Sequence, residues 1–259
     1  MRKSLLKATL LSVVLLLAGT AVGAATLDET INETFPFAAG SRLEVTNTNG
    51  DIEVSTWDRE EIEIEAYKKV KSSSSDKARQ AFDDLKVEIQ QTSSGVTIDT
   101  DYPRSSGGWF GGVSSSVQYT IRIPAEADLD LETTNGKIEV EGAHGRIELG
   151  TTNGGLRVKD AGGSVSARST NGSIDVELGS IDADEDMTLR TTNGGISLSL
   201  PSNIQASLSA RTTNGSVSTD FPVTVQGTFR KNRLEGDLNG GGASLDLKTT
   251  NGSIKIREF

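Results

Sequence analysis

The side chains that most often carry reaction chemistry are thinly supplied in this chain. It has no Cys and a single His, His144, set in the turn-like stretch Glu-Gly-Ala-His-Gly-Arg. One imidazole and no thiol exclude the usual zinc sets and thiol nucleophiles. A Ser-His-Asp arrangement around His144 has no supporting motif. Carboxylates are plentiful, 36 Asp and Glu against 26 Lys and Arg, and a pair at glycosidase spacing would supply acid and base. Most of them, such as Glu139 and Asp175, alternate with apolar residues, which puts them on a solvated strand face. A polysaccharide lyase would want clustered Asp ligands for calcium beside a basic residue. The stretch around Asp237, GDLNGGG, lacks the repeated Gly-Gly-x-Gly-x-Asp of calcium-binding coils. No catalytic, cofactor or metal site is expected.

Side chains suited to binding are better supplied, and they recur. Thr-Thr-Asn-Gly or a close variant stands at Asn135, Asn153, Asn171, Asn193, Asn214 and Asn251, with a looser Val-Thr-Asn-Thr-Asn-Gly from Val45. Three residues before each Asn stand Glu132, Gly150, Arg168, Arg190, Arg211 and Lys248. If successive copies stack, Arg168, Arg190, Arg211 and Lys248 form a basic stripe. Like charges one strand apart repel unless they are paired or ligated. An anionic glycan, a lipid phosphate or an acidic surface loop would relieve the repulsion. So would pairing with Asp175, Asp186 or Asp246. The Thr pairs offer a second surface, with one Thr of each pair outward, although ice-binding solenoids use Thr-x-Thr along a flat strand. The third candidate is Trp109 with Phe110, central in PRSSGGWFGGVSSS. Gly and Ser make that stretch flexible. An aromatic tip there suits contact with a membrane, a glycan or a protein; a Trp109 folded back onto the body would serve only as a plug.

The elements that must position these side chains follow from the spacing. From Asn135 the copies step by 18, 18, 22, 21 and 37 residues, a period that marks stacked supersecondary units. Six and four residues before Asn135 lie Leu129 and Leu131; three and five after it lie Ile138 and Val140. The same four columns are apolar in every copy except for Thr219, with mostly polar residues between them. That is period-two alternation, so these are strands with one buried face. Asn-Gly changes the phase of burial between one strand and the next, and both residues accept positive φ more readily than most.

Two geometries fit the phase change. Asn-Gly is the strongest short hairpin signal. A hairpin at Asn135, however, would set Glu132 opposite Glu139, an unfavourable like-charge pair. In a solenoid each copy is one coil, and equivalent residues lie above one another at about 4.8 Å. The apolar columns become aliphatic ladders, and the six Asn residues become a corner ladder that can satisfy backbone groups. The charge argument favours the solenoid.

The chain of 259 residues is rich in Gly, at 28, and poor in aromatics, as a turn-rich all-β repeat requires. Residues 1–24 read as a secretory signal: Arg2, Lys3 and Lys7, then the apolar run Leu10 to Leu17, then small residues up to a cut near Ala24 or Ala25. No other stretch is apolar enough to cross a bilayer. Without the three basic signal residues the net charge falls from −10 to about −13, which disfavours nonspecific nucleic-acid binding. Absence of Cys removes both disulfides and lipid attachment at an N-terminal Cys.

Residues 26–124 form a less regular N-terminal part. Phe35 and Phe37 cap the open end of the first coil, which would otherwise expose core and unpaired edges. Ala78, Phe82 and Leu85 predict one helix over Ser75 to Leu85, with a Ser as N-cap. Residues 125–259 form the regular array. The 37-residue step suits one extra coil without Asn-Gly, holding Val223, Val225 and Phe229 inward and a tight turn at Gly240 to Gly242.

The recurring TTNGxIxV, the early VTNTNGDIEV and the terminal GDLNGGGASLDLKTTNGSIKI resemble the bacterial "putative adhesin" β-strand-repeat family, a domain of unknown function. The resemblance covers Arg42 to Ile256. It implies a right-handed parallel β-solenoid (β-helix), exported or envelope-attached, in a family some of whose members accompany envelope-stress systems. It brings no catalytic residues. The reading is a non-enzymatic, exported all-β solenoid with one short helix, periplasmic, cell-surface or secreted. It presents a repetitive surface to an envelope component, a glycan or a surface protein. A carbohydrate-active enzyme on a β-helix scaffold, or a periplasmic stress scaffold or sensor, are the alternatives.

Overall fold

The computed structural model describes residues 25–102, 112–180, 186–225 and 230–259. The signal segment, Trp109 with Phe110, and Phe229 lie outside the described residues, as does the side chain of Val225. The N-terminal part holds β1 (Ala25–Pro36), β2 (Arg42–Thr46), β3 (Ile52–Trp57), β4 (Glu61–Ser72), helix α1 (Ser75–Asp84), β5 (Lys86–Thr92), β6 (Gly95–Asp101) and β7 (Val113–Pro124). The array then holds β8 (Asp128–Asn135), β9 (Ile138–Glu141), β10 (Ile147–Asn153), β11 (Leu156–Gly162), β12 (Val165–Asn171), β13 (Ile174–Ser180), β14 (Met187–Asn193) and β15 (Ile196–Leu200). It closes with β16 (Ala206–Asn214), β17 (Val217–Thr219), β18 (Val223–Val225), β19 (Arg233–Leu238), β20 (Ala243–Asn251) and β21 (Ile254–Glu258).

Each repeat is one coil: a strand that ends at Asn, a corner, and a second strand in the other sheet. The first strands join an 11-stranded sheet ordered β18-β19-β16-β20-β14-β12-β10-β8-β2-β6-β5. The second strands join a 10-stranded sheet ordered β1-β4-β7-β3-β9-β11-β13-β15-β21-β17. Pairing between copies is parallel and in register, so that Leu131 lies beside Leu149, Leu149 beside Ala167, and Ala167 beside Leu189. The chain is therefore a β-solenoid, and no hairpin forms at Asn-Gly. Aliphatic columns of both sheets, with Leu131, Ile138, Ile174 and Leu247 fully buried among them, meet in one core that also takes in the N-terminal part. Burying each such side chain stabilises by about 1.5–3 kcal/mol.

The corner explains the phrase Thr-Thr-Asn-Gly. Each Asn donates its side-chain N–H to the next Asn side-chain oxygen, from Asn214 through Asn251, Asn193, Asn171, Asn153 and Asn135 to Asn49, at 2.8–2.9 Å. The first Thr of each pair turns inward, and its hydroxyl donates to the Gly carbonyl of the adjacent coil, as Thr191 does to Gly172 at 2.8 Å. The expected positive φ occurs at Gly50 and Gly252, at +129° and +156°, but the other corner glycines need Gly for a different reason. A Cβ on Gly154 would lie 1.8 Å from the Gly136 carbonyl oxygen, and the same collision recurs at Gly136, Gly172 and Gly194. Coils stack backbone upon backbone there, and only a residue without a side chain fits. None of the ladder Asn residues has positive φ.

Order in the stack departs from order in the chain. The last copy, β20 and β21, slides between β14 and β16 in one sheet and between β15 and β17 in the other. The 37-residue step is thus not an extra coil. After β17 the chain forms an antiparallel pair, β18 with β19, beside β16, and then returns to fill the slot. Leu234 and Leu238 are buried in this closing layer and Val223 packs against it half-buried. The tight turn lies at Asn239 to Gly241, all three at positive φ, and makes that return possible.

At the other end β1, β4 and β7 pair antiparallel. Phe35 and Phe37 are buried there, as the capping role requires. Helix α1 lies against β4, β1 and β7, burying Ala78 and Ala81. Ser74 occupies its N-cap without a side-chain capping bond, unlike the expected Ser cap. Among the described residues, no helix is long and apolar enough to cross a membrane.

Candidate functional site

Parallel register places the basic residues side by side. Arg168 on β12 lies beside Arg190 on β14, Arg190 beside Lys248 on β20, and Lys248 beside Arg211 on β16. The antiparallel strand β19 adds Arg233 beside Arg211. The column therefore holds five cations on consecutive strands, all exposed, on the outer face of the 11-stranded sheet. Alternation forces them outward, because Ala167, Leu189, Leu247 and Ala210 beside them in sequence are buried.

Neutralisation of this column is partial. Arg190 pairs with Asp246 at 2.6 Å, and Arg233 with Glu235 at 2.6 Å. Among the described residues, Arg168, Lys248 and Arg211 have no ion-pair partner. Of the carboxylates expected to pair with the stripe, only Asp246 does so. Asp175 lies in the other sheet beside Arg157, and Asp186 accepts from the Ser244 backbone N–H at 3.1 Å. The column on the corner side of the cations is hydroxylic, with Thr170, Thr192, Thr250 and Thr213. The column on the other side runs Ser166, Thr188, Asp246, Ser209 and Glu235, and so carries the two carboxylates that pair with Arg190 and Arg233. The expected outward Thr of each pair is this corner-side column.

Toward β2 the same face changes sign. Beyond Arg168 the column continues as Gly150 and Glu132, flanked by Glu44, Asp130 and Glu148. Gly150 leaves a shallow depression of about 470 Å³, lined by Asp130, Glu132, Glu148 and Arg168 among others. Arg42 and Arg146 pair with Asp130 and Glu148 at its rim. The outer face of the 10-stranded sheet alternates in sign instead: Glu139 lies beside Arg157, and Arg157 beside Asp175. Lys137 there bridges Glu53 and Glu139 at 3.1 and 3.3 Å, and hydrogen bonding to Glu53 holds its pKa up.

Other titratable groups serve the fold. Tyr102 receives the Asn49 backbone N–H at 3.1 Å, and its one hydroxyl proton is shared between the Asn47 side-chain oxygen and the Asn49 carbonyl, at 2.8 and 2.7 Å. Its hydroxyl closes the corner where Asn47 replaces the inward Thr, and burial pushes its pKa up to about 12. Burial likewise raises Tyr119, whose hydroxyl meets Thr100 at 2.7 Å. Lys68 is buried between Glu29, 3.9 Å away, and the Phe82 ring, and burial lowers its pKa against the attraction of Glu29. His144 is exposed at the opposite corner. Among the described residues, no group of three or more His, Asp or Glu side chains could hold a metal ion.

Sequence reasoning missed Arg233, Asn49 and Tyr102 as members of the column and the ladder. Asn49 was within reach, since it stands in the Asn position of the first copy. Arg233 and Tyr102 follow no repeat position; tertiary pairing alone brings them in.

The family model described as Toastrack DUF4097 matches residues 113–257. No curated protein matches the chain. Among solved structures, it is similar to a "putative cell adhesion protein" from Clostridium sporogenes ATCC 15579, at 13% identity and TM-score 0.44, over 89% of this chain and 100% of that one. It is similar also to a "putative adhesin" from Bacteroides fragilis NCTC 9343, at 10% identity and TM-score 0.37, over 89% of this chain and 97% of that one. A third, a "Putative lipid binding protein" from Parabacteroides distasonis ATCC 8503, has 11% identity and TM-score 0.33, over 89% of this chain and 96% of that one.

Proposed function

This chain belongs to the Toastrack DUF4097 family, and from that premise we propose that it is an exported, non-enzymatic solenoid that binds a component of the cell envelope, an adhesin-type role. One observation carries the reading: five cations in register on one exposed face of a chain with net charge −10. Random surface charge does not place five like charges on adjacent strands, and their mutual repulsion costs free energy that a bound anionic partner recovers. The signal-like segment 1–24 supplies the route to the envelope.

Two measurements test this. The full chain, expressed in a bacterial host, is expected in the exported fraction, and recovery from the cytoplasm contradicts export. The purified protein is expected to sediment with envelope preparations. The triple variant Arg168→Ser, Arg190→Ser, Arg211→Ser is expected to lose at least about tenfold in affinity, roughly 1.4 kcal/mol. Unchanged sedimentation of that variant removes the stripe from the reading.

A further inference from the structure

We propose, building on the envelope-binding reading, that the cationic column takes a linear acidic polysaccharide, laid along the stack axis at right angles to the strands. The column runs from Arg168 through Arg190, Lys248 and Arg211 to Arg233. Four strand spacings make it about 19 Å long. A compact anion can span two neighbouring side chains at most and leaves the rest of the column repelling. A chain with an anion on each unit can reach Arg168, Lys248 and Arg211, the three cations without an ion-pair partner among the described residues, together with the paired Arg190 and Arg233, because one strand spacing is close to the length of one sugar in an extended glycan.

The flanking columns suit a sugar backbone. Thr170, Thr192 and Thr213 on the corner side, and Ser166, Thr188 and Ser209 among the carboxylates Asp246 and Glu235 on the other, are short hydroxyl side chains that can donate to or accept from sugar hydroxyls, and the two carboxylates can accept from them. Guanidinium groups pair carboxylates through two parallel N–H bonds, and four of the five cations are Arg.

Competing polyanions fit this face less well. A flat anionic membrane docked on the cations would also meet Glu44, Asp130, Glu132 and Glu148 on the same sheet face. Among the described residues, the exposed large hydrophobics are Val113 and Phe259, and neither lies on that face. Single-stranded nucleic acid is bound by stacking on aromatic side chains, and the outward columns of this sheet carry none.

The test is calorimetric titration of the full chain with oligogalacturonates of increasing length, with dextran as the neutral control. Affinity is expected to rise with length, level off near about five sugars as the column fills, and fall with salt. The Arg168→Ser, Arg190→Ser, Arg211→Ser variant is expected to weaken the longest oligomer at least about tenfold. Lys255→Ser with Arg257→Ser, on the outer face of the other sheet, is expected to change nothing; an equal loss there overturns the placement. Because all these residues are exposed, an unchanged melting temperature shows that the variants fold. Length-independent binding overturns the axial geometry, and polyphosphate binding without oligogalacturonate binding overturns the sugar assignment. Binding to anionic vesicles that oligogalacturonate cannot displace points to a membrane and also overturns it. If envelope preparations still capture the intact chain while oligogalacturonates do not, this inference falls and the envelope reading stands. If the intact chain is not captured at all, the envelope reading itself falls.

Discussion

Single residues hold this fold through what lies directly above and below them in the next coil. Gly154 is the sharpest case, since a Cβ there would meet the Gly136 carbonyl oxygen at 1.8 Å. Gly154→Ala is expected to destabilise by more than about 2 kcal/mol in urea unfolding, because the backbone of two coils must part. Gly240→Ala meets open space, so only its φ of +99° is strained, and the cost is expected near about 1 kcal/mol. Equal costs at the two sites would contradict the close-approach account. The buried phenols give a pH dependence. Tyr102 is raised from its ordinary 10 to about 12 by burial, so the folded state holds that proton more tightly than the unfolded chain. The stability it contributes is complete below pH 10 and is lost as pH rises from 10 through about 12. Unfolding free energy is expected to decline across that window, and less so in Tyr102→Phe.

Among the elements, the inserted last coil and the helix each depend on a particular fit. β20 and β21 supply both neighbours' pairing in both sheets. A chain stopped after Gly242 is therefore expected to expose strand edges on β14, β15, β16 and β17 and to aggregate, as light scattering would show. A soluble monomer with the parent's melting temperature would show that the coil is dispensable. Helix α1 covers a buried ammonium, Lys68, held by a long ion pair to Glu29 and by the Phe82 ring 4.0 Å away. Replacing such a group with an apolar one of similar shape removes its desolvation cost. Lys68→Met is expected to leave stability unchanged or raise it, by up to about 4 kcal/mol, as a calorimetric melt would register. A large loss would assign Lys68 a role beyond packing.

For the whole molecule, stacking makes stability a sum over neighbouring coils, with the ends weakest. Amide exchange is expected to be slowest in β10 to β13, which are covered on both sides, and fastest in β17, a three-residue edge strand. The coil motif was legible in the sequence because each copy repeats one local rule. Leu131, Leu149, Ala167 and Leu189 alternate with outward residues, and a rule with period two fixes strand and face before any partner is known. The basic stripe was legible for the same reason, since equal distance from Asn means equal height in a parallel stack. Family resemblance and the Asn ladder came from the same phrase. What the tertiary structure alone decided was order and direction. Nothing local tells β20 to enter between β14 and β16, because every corner of the array accepts any copy of the phrase. The antiparallel turn of β18 and β19 and the return at Asn239 to Gly241 set that order. Direction likewise brought Arg233 beside Arg211 and completed the column, through a pairing between residues that share no repeat position. The sequence by itself determined the coil, because local alternation is read within one copy; the stack's sequence of coils required contacts between distant strands, which no local pattern encodes.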